Sequence, residues 1–351
     1  MNRGRAIAVA ALVCGTLVPA VAVAQERGAG RGREGGTSRD AVRRSRSPGP
    51  DLGYSYDMNP LPLPAGMVYA RHVSSVAINS KGHIFVFHRA EAGKPQLLEF
   101  DQQQKFVRGF GEDIAERAHS MLIDAQDNIW ITDQNGGTVR KLSPEGKVLW
   151  TIGVQGKEGD WDEATGSHLL WQPLALALAP NGDIYIGMGH AGESARRGGG
   201  GPARILHLDK NGKYINQWFG NARGPGHFTM VHALVLDPKG NLYISDREEY
   251  RVVVYDGTGH FIKTIQKPNL VCSMMATQDN EVFLATGADG QVEKVDWDGA
   301  VLGSTGLGPG AGFGQFGESC DMAMDGKGDI YVSDGVNGRV TKLIAPKNQK
   351  K

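Results

Sequence analysis

The chain has 351 residues, of which 50 are Gly and three are Cys, and its 38 basic residues balance 38 acidic ones. Gly at about 14% is roughly twice ordinary usage, yet no Gly-X-Y period accompanies it, which excludes collagen; the balanced charge gives no global drive toward nucleic acid or an anionic membrane. Apolar residues at 40% can bury a sizeable core, and many Gly beside short β-branched runs favour an all-β protein with tight turns.

Residues 1–24 carry Arg3 and Arg5, an apolar run over 6–23 and the small-residue exit Ala22-Val23-Ala24. This is the pattern of a secretory signal peptide, with cleavage expected before Gln25. An uncleaved anchor is the competing reading. A lipidated Cys14 is disfavoured by the bulk of Val13. The mature protein is expected to be periplasmic or secreted, with no stable membrane anchor after cleavage. Residues 25–50 hold seven Arg against three acids among Gly, Ser and Pro and read as a disordered linker. Nucleic-acid binding through it is the weaker alternative, and no nucleic-acid partner is expected. Removing the first 50 residues leaves 29 basic against 35 acidic residues, so an acidic body stands behind a basic leader.

The remainder is a repeat. Six segments align: 74–89, 119–134, 174–189, 232–247, 272–287 and 320–335. Each has an alternating strand, a Gly/Asn/Asp turn and a second alternating strand. The pairs Asp124/Asp133, Asp237/Asp246 and Asp325/Asp334 are nine apart. Third and fourth strands follow most copies, as in TVRKLS and VLWTIG. Four-stranded antiparallel units in six copies predict an all-β, six-bladed β-propeller over 51–347; a two-domain sandwich would leave the fixed spacing unexplained. The last copy has three strands before the chain ends, so the stretch over 54–58 is expected to supply its outermost strand and close the ring.

The innermost strand of every blade lines a propeller's channel, so the first residues of the copies form a ring: Ser74, His119, Leu174, His232, Cys272 and Cys320. Alternate blades bring His119, His232 and Cys320 toward one axis. Two imidazoles and a thiolate suit Zn²⁺ with an open position. The slot fifteen residues on holds Arg89 and Arg247 on the same face. They point to a substrate bearing a carboxylate or another anionic group, or they pair with local acids such as Asp246 or Glu248. Cys272 and Cys320 are ring neighbours and the last two Cys, so a disulfide between them stays open as the alternative to a Cys320 ligand.

The copies resemble NHL repeats, and roughly 54–345 resembles peptidyl-α-hydroxyglycine α-amidating lyase. The resemblance is carried by VFHR (86–89), AHSMLIDAQDNIWITD (118–133), VHALVLDPKGNLYISDRE (231–248) and CDMAMDGKGDIYVSD (320–334). It implies a catalytic zinc held by His119, His232 and a third position that here is Cys320. It implies a structural calcium on Asp321 with the carbonyls of Val76 and Met121. It also makes Arg89 and Arg247 the active-site arginines. Two departures follow from the same comparison. The family's third zinc His falls on Cys320, with Glu318 near enough in sequence to substitute through its carboxylate. The family's catalytic Tyr falls on His190, which becomes the candidate base, and 192–203 reads as an inserted flap. The resemblance implies a lyase that cleaves the N–Cα bond of an α-hydroxyglycine to an amide plus glyoxylate, acting as a monomer on a small-molecule or peptide substrate. Its alternatives are a non-catalytic propeller that binds a protein, peptide or glycan, and a lactonase-type hydrolase, for which only Glu318 and Asp321 offer channel carboxylates.

Overall fold

The computed structural model describes residues 49–189, 203–220, 224–287 and 289–349. Within them the chain forms six four-stranded antiparallel sheets. Blade 1 runs from its inner strand Val73–Ile78 through Ile84–His88 and Pro95–Phe100 to Phe106–Glu112. The inner strands of blades 2 to 6 are Ala118–Ile123, Pro173–Leu178, Leu234–Leu236, Val271–Ala276 and Ser319–Met324. Each inner strand touches the next, and that of blade 6 returns to that of blade 1. The chain is a six-bladed β-propeller. A small hairpin, Trp161–Asp162 with Ser167–His168, joins blades 2 and 3 and had no counterpart in the repeat pattern.

The turn chemistry explains the nine-residue spacing. Asp124 Oδ1 accepts the N–H groups of Gln126 and Asn128 at 3.0 and 2.9 Å. Asn79, Asp237 and Asp325 make the same pair of bonds in their own blades. The residue three places on takes positive φ in every copy: Gly82, Asp127, Gly182, Gly240, Asn280 and Gly328. That requirement selects Gly, Asn or Asp there. At the far end of the second strand, Asp133 accepts the N–H groups of Glu116 and Arg117, which precede the inner strand. Asp246 does this for Thr229 and Met230, and Asp334 for Gly317 and Glu318. Each marker Asp therefore closes one end of the inner hairpin.

The core lies between blades. Second strands such as Ile129–Asp133 and Ile330–Asp334 are buried at every residue, because each blade is covered on both faces. Phe85, Phe87 and Leu97 of blade 1 pack on Ile129 and Ile131 of blade 2. Phe283 and Ala285 of blade 5 pack on Ile330 and Val332 of blade 6. The ring closes as the strand count required: Ser55–Asp57 pairs with Arg339–Ile344, in the register Ser55↔Ile344 and Tyr56↔Leu343. Just before that strand, Asp51 bridges Ser304 in parallel on the outer edge of blade 5.

Candidate functional site

The ring positions are made by a repeated irregularity of the inner strand. Between inner and second strands the register skips Ser74 in blade 1, Leu174 in blade 3, Cys272 in blade 5 and Cys320 in blade 6. Blade 2 skips both His119 and Ser120. In blade 4, His232 and Ala233 share Ser245, which accepts the N–H of one and donates its own to the carbonyl of the other. A β-bulge leaves one residue unpaired and re-aims it. Here the bulge turns that residue into the channel, where Ser74, His119, His232, Cys272 and Cys320 line one cavity of about 660 Å³.

His119 and His232 converge, with ring centroids 4.9 Å apart and planes at 69°. His119 Nδ1 lies 2.8 Å from the Leu174 carbonyl and His232 Nδ1 lies 2.6 Å from the Cys272 carbonyl. A carbonyl only accepts, so both Nδ1 atoms carry the proton, and Nε2 is the atom a neutral ring would offer to a metal. This is the outer-shell bond that orients metal-binding imidazoles. The donor chemistry therefore fits zinc at two positions. Among the described residues, no group of three or more His, Cys, Asp and Glu side chains is set to hold an ion. What the structure brings together is a pair of oriented imidazoles.

Cys320 and Cys272 are free thiols. The disulfide alternative is therefore absent from the structure. Burial pushes the Cys272 thiol up to about 12, against the pull of Arg247. Burial, then Glu318 and Cys272, push Cys320 well above the usual thiol range. Cys320 in this form is a thiol and not a ready thiolate.

A second ring, two residues before the first, escaped the sequence reading. The carbonyls of His72, Arg117, Gln172, Leu270 and Glu318 accept the N–H groups of Arg89, Gln134, Gly189, Gly287 and Gly335. These bonds lock the second ring beside the strand-end slot at the channel mouth. The signal was available, since extending the repeat alignment two residues backward exposes His72 and Arg117. His72 Nε2 lies 3.9 Å from Cys320 Sγ. Its ring sits over Gly335, where a Cβ would lie 2.7 Å from His72 Cε1. Burial, then Arg89, Arg117 and Arg247, lower its pKa to about 3, so the imidazole is neutral.

Arg89 and Arg247 both line the cavity. Arg89 Nε donates to the Ala118 carbonyl at 3.0 Å, and Arg117 Nε donates to Gln134 Oε1 at 2.9 Å. Arg247 pairs through Nη2 with Glu318 and lies 3.6 Å from Glu248. Asp246, the other acid considered for it, bonds Arg251 at 2.8 Å instead. Burial works against the charge of Arg247, but Cys272, Glu318 and Glu248 outweigh it and raise its pKa. Glu318 is thus committed to an arginine and not presented as a metal ligand.

Asp321 is buried in the channel wall. It accepts from Ser75 Oγ, from Ser273 Oγ at 2.9 Å and from the Met322 N–H at 2.9 Å. Burial pushes its carboxyl up to about 6 in spite of these bonds. Ser75 also accepts the Met121 N–H at 3.0 Å. Val76 and Met121 share the cavity wall with Asp321. Hydroxyl, carboxylate and carbonyl oxygens are the donors calcium takes, but one carboxylate and two hydroxyls are fewer than its usual six to eight ligands. His190 and most of 192–203 lie outside the described residues.

Comparison with known proteins agrees on the architecture. A family profile described as "6-bladed beta-propeller" matches residues 203–294. Mouse peptidyl-glycine alpha-amidating monooxygenase is 26% identical over 225 residues, covering 55% of this chain and 22% of that protein. Peptidyl-alpha-hydroxyglycine alpha-amidating lyase 1 of Drosophila melanogaster is 25% identical over 234 residues, 56% of this chain and 40% of that one. Human NHL repeat-containing protein 3 is 26% identical over 196 residues, 53% of each chain. The matches thus span between 22% and 53% of these relatives. Among solved structures, a gluconolactonase from Xanthomonas campestris superposes with TM-score 0.60 at 14% identity, over 84% of this chain and 91% of that one. A streptogramin B lyase superposes with TM-score 0.55 at 12% identity, over 83% and 97%. The chain is a six-bladed β-propeller that resembles, at low identity, NHL-repeat proteins and proteins named as amidating lyases.

Proposed function

We propose that the protein is a metal-dependent lyase that cleaves the N–Cα bond of an α-hydroxyglycine-like substrate to give an amide and glyoxylate. The observation that carries this reading is the tautomer-fixed pair His119 and His232 in one cavity with Arg89 and Arg247. Zinc bound there would be held by His119, His232 and Cys320, and would supply Lewis acidity that lowers the pKa of the substrate's α-hydroxyl. Calcium, if it takes the Asp321 position, would have a structural role. The chain's own residues do the rest. Arg89 and Arg247 hold the substrate carboxylate, fixing the N–Cα bond over the imidazole pair. His190 is assigned as the base that takes the hydroxyl proton as the C=O of glyoxylate forms, and that returns it to the leaving amide nitrogen as the N–Cα bond breaks. A signal peptide over 1–24 and the linker over 25–50 would place this activity in the periplasm or outside the cell, on a small-molecule or peptide substrate, as a monomer.

The test is incubation of purified protein with α-hydroxyhippuric acid, with and without added zinc, and measurement of glyoxylate. Zinc-dependent glyoxylate that falls at least 100-fold in His119→Ala and His232→Ala is the expected result. No glyoxylate with zinc, cobalt, manganese or calcium overturns the proposal.

One observation favours a second reading, a non-catalytic propeller that binds a protein, peptide or glycan. Cys320 stands where the resemblance calls for a third His, and its thiol is held protonated. Purified protein that carries no transition metal and turns over no hydroxyglycine, while both thiols titrate as free, would support that reading. A lactonase-type site has less behind it, since Glu318 is taken by Arg247 and Asp321 by two serines.

A further inference from the structure

The ion pair between Arg247 and Glu318 crosses the channel mouth. Arg247 follows the second strand of blade 4, and Glu318 precedes the inner strand of blade 6. These blades are not neighbours; blade 5 stands between them. Its contribution at this level is Gly287, whose missing Cβ leaves room for Cys272 Sγ. Glu318 thus reaches Arg247 across the blade that separates their own.

We propose that Glu318 occupies on Arg247 the place of a ligand carboxylate, and so acts as a built-in competitor that determines which anions the site retains. This rests on the reading of Arg247 as an anion holder given above. The pair's side chains are only 15% and 21% exposed. Without Glu318, Arg247 would keep only the exposed Glu248 at 3.6 Å as a counter-charge, so Glu318 keeps the empty site stable. A ligand that meets Arg247 alone exchanges one carboxylate for another and gains little. A ligand that also engages Arg89, or the imidazole pair, gains contacts that Glu318 does not replace. Displacing Glu318 costs every such carboxylate the same, so a small monocarboxylate is left with too little affinity to be retained, whereas a larger ligand with a second anchoring group still binds. After N–Cα cleavage the carboxylate fragment has lost its amide anchor, and re-pairing of Glu318 with Arg247 expels it.

The test is calorimetric binding to the intact protein, which needs no turnover. Glycolate probes a small carboxylate, hippurate an anchored one, and hippuramide is the neutral control. Glu318→Gln is expected to tighten glycolate and hippurate by the same factor, about tenfold, and to leave hippuramide unchanged. In the Arg247→Gln background, Glu318→Gln is expected to have no effect on glycolate. Glycolate affinity that is unchanged or weaker in Glu318→Gln overturns the proposal, as does equal tightening of hippuramide. Should Glu318→Gln melt out, Glu318→Asp keeps the charge with a shorter reach. It is expected to tighten glycolate by a smaller factor, and wild-type affinity in that variant counts against the proposal. If no glyoxylate forms from α-hydroxyhippurate but glycolate tightens as stated, the lyase reading fails while the competitor stands.

Discussion

Asp289 shows how a single side chain can stand in for a repeat feature. Blade 5 has Thr286 where blades 2, 4 and 6 have Asp133, Asp246 and Asp334. Asp289 supplies the carboxylate instead, bonded by Thr286 Oγ1 and by Asn269 Nδ2. Burial pushes its carboxyl up to about 6 from 3.8, with Glu293 adding to the rise. Because the folded value exceeds the unfolded one, its contribution to stability is complete below about 3.8 and is lost as pH rises through about 6. Asp289→Asn does not titrate. The stability of wild type relative to this variant is therefore expected to fall by on the order of 2–3 kcal/mol between pH 4 and pH 7, read from urea melts. A constant difference across that range would refute the assignment. At the mouth, Gly335→Ala would drive a Cβ into Cys320 Sγ and against His72. It is expected to raise the labelling rate of Cys320 by a thiol reagent several-fold while Cys272 stays protected. The ring residues themselves were legible because they open every aligned copy, at the start of the strand that lines the channel. His72 and Arg117 were not, because they precede the aligned copies. The Arg247–Glu318 pair joins residues 71 apart on blades that are not neighbours, a distance no repeat register encodes.

At the scale of the element, each inner hairpin is fastened at both ends by an aspartate, and the two fastenings differ in depth. Asp237 caps a turn whose neighbours Pro238 and Lys239 are exposed, whereas Asp133 is buried and holds the N–H groups of Glu116, Arg117 and Gly136. Loss of a solvated turn cap costs about 1 kcal/mol, while orphaning several buried donors costs about 3 kcal/mol or more. Asp133→Ala is therefore expected to destabilise by at least twice as much as Asp237→Ala in urea denaturation. It should also loosen Arg117 at the mouth, since two of the lost bonds anchor residues 116 and 117. Equal effects of the two substitutions would contradict this division. The nine-residue spacing is legible in sequence because turn cap and end cap both need a carboxylate at fixed positions of one hairpin. The bulge between them is not, because it comes from which backbone groups pair and carries no residue signature of its own.

The whole molecule closes through a short strap. Residues 50 and 52 bond Ser304 on the rim of blade 5, and Ser55–Asp57 then completes blade 6. Tyr56 ties the two blades together, with its hydroxyl 2.9 Å from Thr305 Oγ1 and accepting the Gly306 N–H at 2.8 Å. Asp321 fastens the same seam from inside, through Ser273 of blade 5 and Ser75 of blade 1. Blade 6 is thus held by its neighbours on the rim and in the channel, although its own sequence supplies only three strands. Tyr56→Phe removes two hydrogen bonds and is expected to cost about 1–2 kcal/mol with the ring still closed. Deletion of residues 1–58 takes away the whole strap and leaves Arg339–Ile344 as an open edge. Unpaired edges recruit other chains, so the truncated protein is expected to melt at least 5 °C lower and to form concentration-dependent aggregates in light scattering. Adding a synthetic peptide of residues 49–58 should reverse both changes. A truncated protein that melts and scatters like wild type would mean that the seam is held by Asp321 and the packing between blades 5 and 6, with the strap as ornament.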